Sequence, residues 1–182
     1  MALLIAIDQG TTSTRTVAFD RELNVIHSEQ KEYSLIYPKD GWVEIEPNEL
    51  IASVYKTLDP VLDACKDITA LGITNQRETT LVWDASTGKP IYNAIVWQDR
   101  RTAKKCLSLK NDGHEEIIKN KTGLLLDPYF SATKIQWILD NVSGAKQKAN
   151  NGELRFGTVD TYLLWQLSGG KIYKTDVTNA SR

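Results

Sequence analysis

Residues 3–19 limit what this chain can fold into more than any other stretch. Leu3-Leu4-Ile5-Ala6-Ile7 is an apolar run too short to stand as a helix and suited to a strand buried on both faces. It stops at Asp8-Gln9-Gly10-Thr11-Thr12-Ser13-Thr14-Arg15, and apolar character resumes at Thr16-Val17-Ala18-Phe19. The pattern predicts strand, turn, strand. Gly10 permits a tight reversal, and Thr11, Thr12, Ser13 and Thr14 offer hydroxyls and successive backbone N–H groups that can form a concavity for phosphate oxygens. Asp8, at the strand end, is a hard oxygen ligand, and Mg²⁺ takes one or two carboxylates and fills the rest of its shell with water and phosphate. Arg15 adds positive charge. The lysine of a P-loop is missing and a strand rather than a helix follows, so the pattern is a phosphate hairpin and not a Walker A motif. An ordinary polar turn fits the same residues when they are taken alone.

Composition narrows the remaining classes. With 182 residues, 41% hydrophobic and 25% charged, the chain can bury one sizeable core or two small ones. A formal net charge of −1 gives no global field toward nucleic acid or an anionic membrane. No apolar run approaches the length of a membrane span and no leader pattern opens the chain, so the expectation is a cytoplasmic protein. Cys65 and Cys106 are too few and too isolated for a disulfide framework or a CxxC metal site and read as reduced structural thiols. His27 and His114 read as solvated side chains, and nothing suggests a histidine-based nucleophile relay.

The order of elements predicts an α/β fold. The segment 23–34 alternates enough to pair with the preceding strand across an Asp20-Arg21-Glu22 turn, giving a three-stranded antiparallel meander. A helix is predicted from Pro47 through Leu50, Ile51, Val54 and Leu58, with Pro60 kinking or ending it. Strands are predicted over 68–74 and 79–83, the second running into a turn at Asp84–Pro90. Helical spacing at Ala103 and Leu107, at Ile117 and Ile118, and at Ala132, Ile135, Ile138 and Leu139 predicts core-facing stripes. A short strand over 154–157 and a helix over 159–167 complete the pattern.

A second constellation carries different chemistry. Gly72-Ile73-Thr74-Asn75-Gln76-Arg77-Glu78-Thr79-Thr80 ends a predicted strand with two opposite charges, which a turn or bulge could direct into one cavity. Arg77 offers a planar fork of donors and Glu78 two acceptor oxygens, a pairing suited to a polyol whose hydroxyls both donate and accept. A surface ion pair is the plain alternative. Trp97, ahead of Gln98-Asp99-Arg100-Arg101, and Tyr129, in Asp127-Pro128-Tyr129-Phe130-Ser131, are either core aromatics or apolar walls for the carbon face of a small polyol. Ser131 is a plausible N-cap.

Several segments together make the chain resemble the FGGY family of carbohydrate kinases, and within it the members that act on glycerol. They are Asp8–Ser13, Gly41-Trp42-Val43-Glu44, Gly72–Thr80, Gly88–Gln98, Asp127–Ser131, Gly157-Thr158-Val159-Asp160-Thr161 and Thr178-Asn179-Ala180-Ser181-Arg182. The resemblance implies an α/β fold of the ribonuclease-H-like, actin-like ATPase type, a mixed sheet with an antiparallel N-terminal meander flanked by helices. It implies ATP-dependent phosphorylation of glycerol to glycerol 3-phosphate, with ATP and Mg²⁺ as cofactors. By likeness, Arg77, Glu78, Trp97 and Tyr129 bind substrate, Thr11, Thr12, Ser13 and Arg15 contact phosphate, and Asp8 is the metal-associated carboxylate. Residues 1–182 would form most of the substrate-side N-terminal domain of a homo-oligomeric protein. The general base and the nucleotide domain would lie beyond Arg182, leaving the isolated chain inactive. Alternatives are a kinase of another polyol or a ketose, and a non-catalytic actin-like nucleotide-binding module.

Overall fold

A computed structural model describes residues 2–182. The elements run β1 (Leu3–Gln9), β2 (Ser13–Phe19), β3 (Val25–Glu32), β4 (Glu44–Ile45), α1 (Pro47–Ala64), β5 (Ile68–Asn75), β6 (Thr80–Asp84) and β7 (Ala94–Ile95). After these come α2 (Ala103–Asn111), α3 (Glu115–Thr122), α4 (Ser131–Asn141), α5 (Ala145–Asn150), β8 (Leu154–Thr158), α6 (Val159–Leu167) and α7 (Val177–Ala180). Two compact units form: Met1–Leu35 with Glu46–Gln76, and Ile36–Ile45 with Arg77–Arg182.

In the first unit the sheet order is β3-β2-β1-β5. β1 pairs antiparallel with β2 and parallel with β5, and β2 pairs antiparallel with β3, so the predicted meander is present with one parallel strand added. Burial alternates along β1. Leu3, Ile5, Ile7 and Gln9 are buried while Leu4 and Asp8 are exposed, so the strand is covered on one face rather than two. The covered face meets α1, which starts with Pro47 in its first turn and a Glu46 carboxylate accepting from the Glu49 N–H at 3.1 Å. Leu50, Val54, Leu58 and Val61 form the buried stripe of α1. Beside that stripe lie two hydroxyl pairs, Thr14 Oγ1 to Ser53 Oγ at 2.6 Å and Thr16 Oγ1 to Thr57 Oγ1 at 2.8 Å. Pro60, expected to kink or end the helix, lies within it, and α1 runs on to Ala64. The proline is exposed, as is Lys56 one turn earlier, so the carbonyl that loses its intrahelical partner lies on the solvent side.

The second unit holds an antiparallel sheet of order β4-β7-β6-β8. Val82, Ile95 and Ile138 form its core, with Ile91, Ile135, Val142 and Leu154 packed around them. Trp83 is fully buried and makes edge contacts with Tyr162 and Tyr173. The turn from β8 into α6 requires glycine, because a Cβ on Gly157 would lie 2.6 Å from Thr161 Cβ. The stripes predicted for α2 and α3 are not core-facing: Leu107 and Ile117 are exposed, Cys106 is the buried residue of α2, and α3 buries none. Both cysteines are free and buried. Among the described residues no helix is long and apolar enough to cross a membrane.

Candidate active site

The β1–β2 turn is built from the backbone of Gly10 outward. Its N–H donates to the Ser13 carbonyl at 2.9 Å, closing the hairpin. Its carbonyl accepts from Gln76 Nε2 at 2.7 Å, Gln9 Nε2 at 2.9 Å and the Tyr33 hydroxyl, and the Thr12 carbonyl accepts from the Tyr33 N–H at 3.0 Å. Burial pushes the Tyr33 phenol above its usual range, so it remains a neutral donor. With its carbonyls tied inward, the turn has the Thr12 and Ser13 side chains at its rim. Thr14 departs from expectation. Its hydroxyl is buried against Ser53, because side chains along β2 alternate between the faces of the sheet. Asp8 and Arg15 are opposite one another in the β1–β2 register and both are exposed. Arg15 gives Nε and Nη2 to Gln30 Oε1 at 3.0 and 2.6 Å, while the Asp8 carboxylate is exposed on the neighbouring strand.

The Asn75–Thr80 segment turns at Arg77-Glu78, where Glu78 has φ +62°. That left-handed backbone is uncommon and mildly strained for a residue with a side chain. The turn does not direct both neighbouring charges into one cavity, as the sequence pattern allowed. Glu78 is buried, while Arg77 is exposed and makes no ion pair with it. The partner of Glu78 is Arg182, whose Nε lies 2.6 Å from Oε1. The Glu78 carbonyl accepts from Lys134 Nζ at 3.1 Å and from Thr80 Oγ1 at 3.0 Å.

Aromatic side chains stand beside this carboxylate. Trp97 and Tyr129 meet edge to face at 5.8 Å between centroids, and Phe130 packs on Tyr129 at 5.2 Å. Burial and the Glu78 carboxylate raise the Tyr129 phenol above its usual value, with Arg182 acting in the opposite direction. Glu78, Tyr129 and Arg182 are therefore electrostatic neighbours, and Trp97 is their apolar flank. The Trp97 N–H donates to Thr79 Oγ1 at 3.2 Å, which ties this loop to the Glu78 turn. Ser131 does not cap α4. It is the first helical residue, and its buried hydroxyl has no hydrogen-bond partner.

Three residues without a role in the sequence reading support this arrangement. Arg182 and Lys134 hold Glu78 from two sides. Arg101, wholly buried, bonds Glu44 at 2.7 Å and Asp99 at 2.8 Å, and its guanidinium lies 3.9 Å from the Trp42 ring centroid and 4.5 Å from that of Trp137. Asp99 also accepts from the Val43 N–H at 2.6 Å, so the Trp97–Arg101 loop is pinned at its base. The one available sequence signal for Arg101 was its place in a run with Asp99 and Arg100.

Residues 3–182 match the N-terminal domain of the FGGY family of carbohydrate kinases. A glycerol kinase of Alteromonas mediterranea is 59% identical over 98% of this chain and 37% of its own length, and one of Petrotoga mobilis is 57% identical with the same coverage. The chain thus spans 37% of the length of these curated relatives. A crystal structure of Plasmodium falciparum glycerol kinase with ADP superposes with a TM-score of 0.94 at 39% identity, covering 100% of this chain and 37% of that one. The mixed α/β fold is that of the actin-like ATPases, as the resemblance implied. On this match along nearly its whole length, the chain belongs to the FGGY family of carbohydrate kinases.

Proposed function

We propose that the full-length protein carrying this chain transfers the γ-phosphoryl group of ATP to a terminal hydroxyl of glycerol. The observation that carries the reading is the buried Glu78 carboxylate, turned inward by a left-handed residue and flanked by Tyr129 and Trp97. Relatives described as glycerol kinases at 57–59% identity support it.

In this reading Glu78 accepts hydrogen bonds from glycerol hydroxyls, Arg77 donates to them, and Trp97 and Tyr129 cover the carbon chain. In the other unit, Thr11, Thr12, Ser13 and Arg15 contact phosphate oxygens. Asp8 suits Mg²⁺, being a single accessible carboxylate at a strand end beside hydroxyls. The bound metal would supply charge neutralisation for the phosphates. The hydroxyl oxygen bonds to the γ-phosphorus, the bond to the β–γ bridging oxygen breaks, and ADP leaves. The hydroxyl proton passes to a carboxylate of the full-length protein outside residues 1–182. The protein's contribution is therefore alignment of the acceptor and neutralisation of charge. The same reading has residues 1–182 as most of the substrate-side domain of a cytoplasmic homo-oligomer.

The test is ADP release from MgATP by the full-length protein, with and without glycerol, beside its Glu78→Gln variant. Glycerol-dependent turnover that collapses in the variant supports the reading. Turnover only with another polyol or a ketose overturns the substrate, and none with any acceptor overturns the enzyme.

A further inference from the structure

Lys134 is on α4, one turn in from the Asp127–Ser131 loop, and its side chain is completely buried. Among the described residues its amino group makes no ion pair. It donates instead to two backbone carbonyls, that of Tyr129 at 2.7 Å and that of Glu78 at 3.1 Å. Those two residues come from segments far apart in sequence. They are also the two whose side chains meet around one carboxylate in the second unit. A single buried amino group therefore crosslinks the two backbone segments that present Glu78 and Tyr129.

We infer that Lys134 is a positioning residue for the acceptor site: it holds the Glu78 and Tyr129 backbones so that their side chains converge on the glycerol hydroxyls. This deepens the proposed function and rests on it. The physical case has three parts. A fully buried ammonium is costly and apolar side chains fill such volumes more cheaply, so packing alone does not account for a lysine here. Hydrogen bonds are directional, so two donated from one buried nitrogen can fix where both carbonyls point. The Glu78 carbonyl most needs fixing, because its residue has φ +62° and an extended backbone would turn the carboxylate away. The Lys134–Tyr129 bond is local, five residues apart, and orients the loop before α4. The Lys134–Glu78 bond spans 56 residues and carries that orientation to the turn after β5.

The test uses the full-length protein and its Lys134→Met variant, which retains volume and loses both bonds. KM for glycerol should rise at least tenfold, with KM for ATP within twofold of the parent. In a crystal structure of the variant, the Arg77-Glu78 turn should leave the left-handed region or Tyr129 should shift. A purely structural lysine would lower the amount of active protein and hence the apparent kcat, leaving KM for glycerol unmoved, and that result overturns the inference. A variant with an unchanged turn and unchanged Tyr129 overturns it as well, whatever the parent phosphorylates. A parent inactive on glycerol sinks the functional reading, and the crystallographic comparison still decides the role of Lys134. Should Lys134→Met not fold, Lys134→Gln, which retains an N–H donor, serves instead. An intermediate rise in KM for glycerol supports the assignment, and an unchanged KM overturns it.

Discussion

Replacing Arg101 with methionine should cost far more than replacing its neighbour Arg100, although both arginines are ion-paired at similar distances. The Arg101 side chain is fully buried, and its carboxylate partners Glu44 and Asp99 are 3% and 1% exposed. Nη2 reaches Glu44 at 2.7 Å and Asp99 at 2.8 Å, and Nε reaches Asp99 at 2.9 Å. Removing one partner of a buried pair costs about 3–5 kcal/mol, because the remaining charge is left without compensation in a poorly polarisable interior. Other donors to the stranded carboxylates persist in the variant. The Val43 and Arg101 N–H groups serve Asp99 at 2.6 and 2.8 Å, and Tyr92 and Asn93 serve Glu44 at 2.7 and 2.8 Å. These hold the loss to the lower end, about 3 kcal/mol. Loss of the guanidinium stacked over Trp42 adds about 1 kcal/mol, since a methionine still packs on the ring. With a urea slope of about 2 kcal/mol per molar, the midpoint falls by about 2 M. Arg100 meets Asp127 at 2.9 Å with side chains 55% and 38% exposed, so Arg100→Met should cost less than about 1 kcal/mol. Urea titrations of the full-length protein followed by tryptophan fluorescence decide the matter. Equal midpoint shifts for the two variants would refute the burial argument. Adding Asp99→Asn to Arg101→Met should recover part of the loss, as coupled sites are not additive.

The Gly157→Ala substitution should destabilise by roughly 1–3 kcal/mol, because the new Cβ would sit 2.6 Å from Thr161 Cβ. Gly72→Ala, with nothing within 4 Å, is the control, and equal melting temperatures for the two would count against the packing argument. Burial pushes the Lys134 ammonium down to about 7, against the pull of the Asp99, Glu78 and Asp127 carboxylates. The folded value is lower than the unfolded one, so between these two values the unfolded chain holds more protons and stability rises with pH. From pH 7 to pH 9 the parent should gain about 2 kcal/mol over Lys134→Met, and parallel stability curves would contradict it.

Much of the fold was legible because local chemistry and long-range packing agree there. The Gly10 turn joins two runs of strand-forming residues, and the stretch 159–167 is apolar enough to be buried as the helix it forms. The misread elements are those whose outcome depends on what covers them. Leu107 and Ile117 have helical spacing but lie on solvent, and α1 continues past Pro60, where Lys56 and Pro60 both face solvent. The two-residue strands β4 and β7 leave no periodic trace. In the candidate site the side-chain types of Glu78, Trp97 and Tyr129 were suggestive, and the structure brings them together. The exposed Arg77 is on the same turn without joining the cluster. Lys134 was not legible, since a lysine in an amphipathic helix ordinarily belongs to the solvent face, and only the fold reveals that its tip ends on two carbonyls. Arg182 pairs with a residue 104 positions away, a separation no local pattern encodes.

The hydroxyl pairs between α1 and β2 have a mechanical consequence. Apolar side chains tolerate sliding, because a methyl group displaced by a few ångströms finds another methyl group. Thr14 with Ser53 and Thr16 with Thr57 behave differently, since each pair joins one particular atom on the sheet to one on the helix. They are spaced two residues apart on the strand and four on the helix, so a shift of the helix along its axis separates both at once and takes the helix partner from the buried Thr14 and Thr16 hydroxyls, while Ser53 and Thr57 keep their bonds to carbonyls of α1. The interface therefore resists shear in a stepwise manner. Force applied through α1 should leave the sheet and helix moving as one body until both pairs fail together.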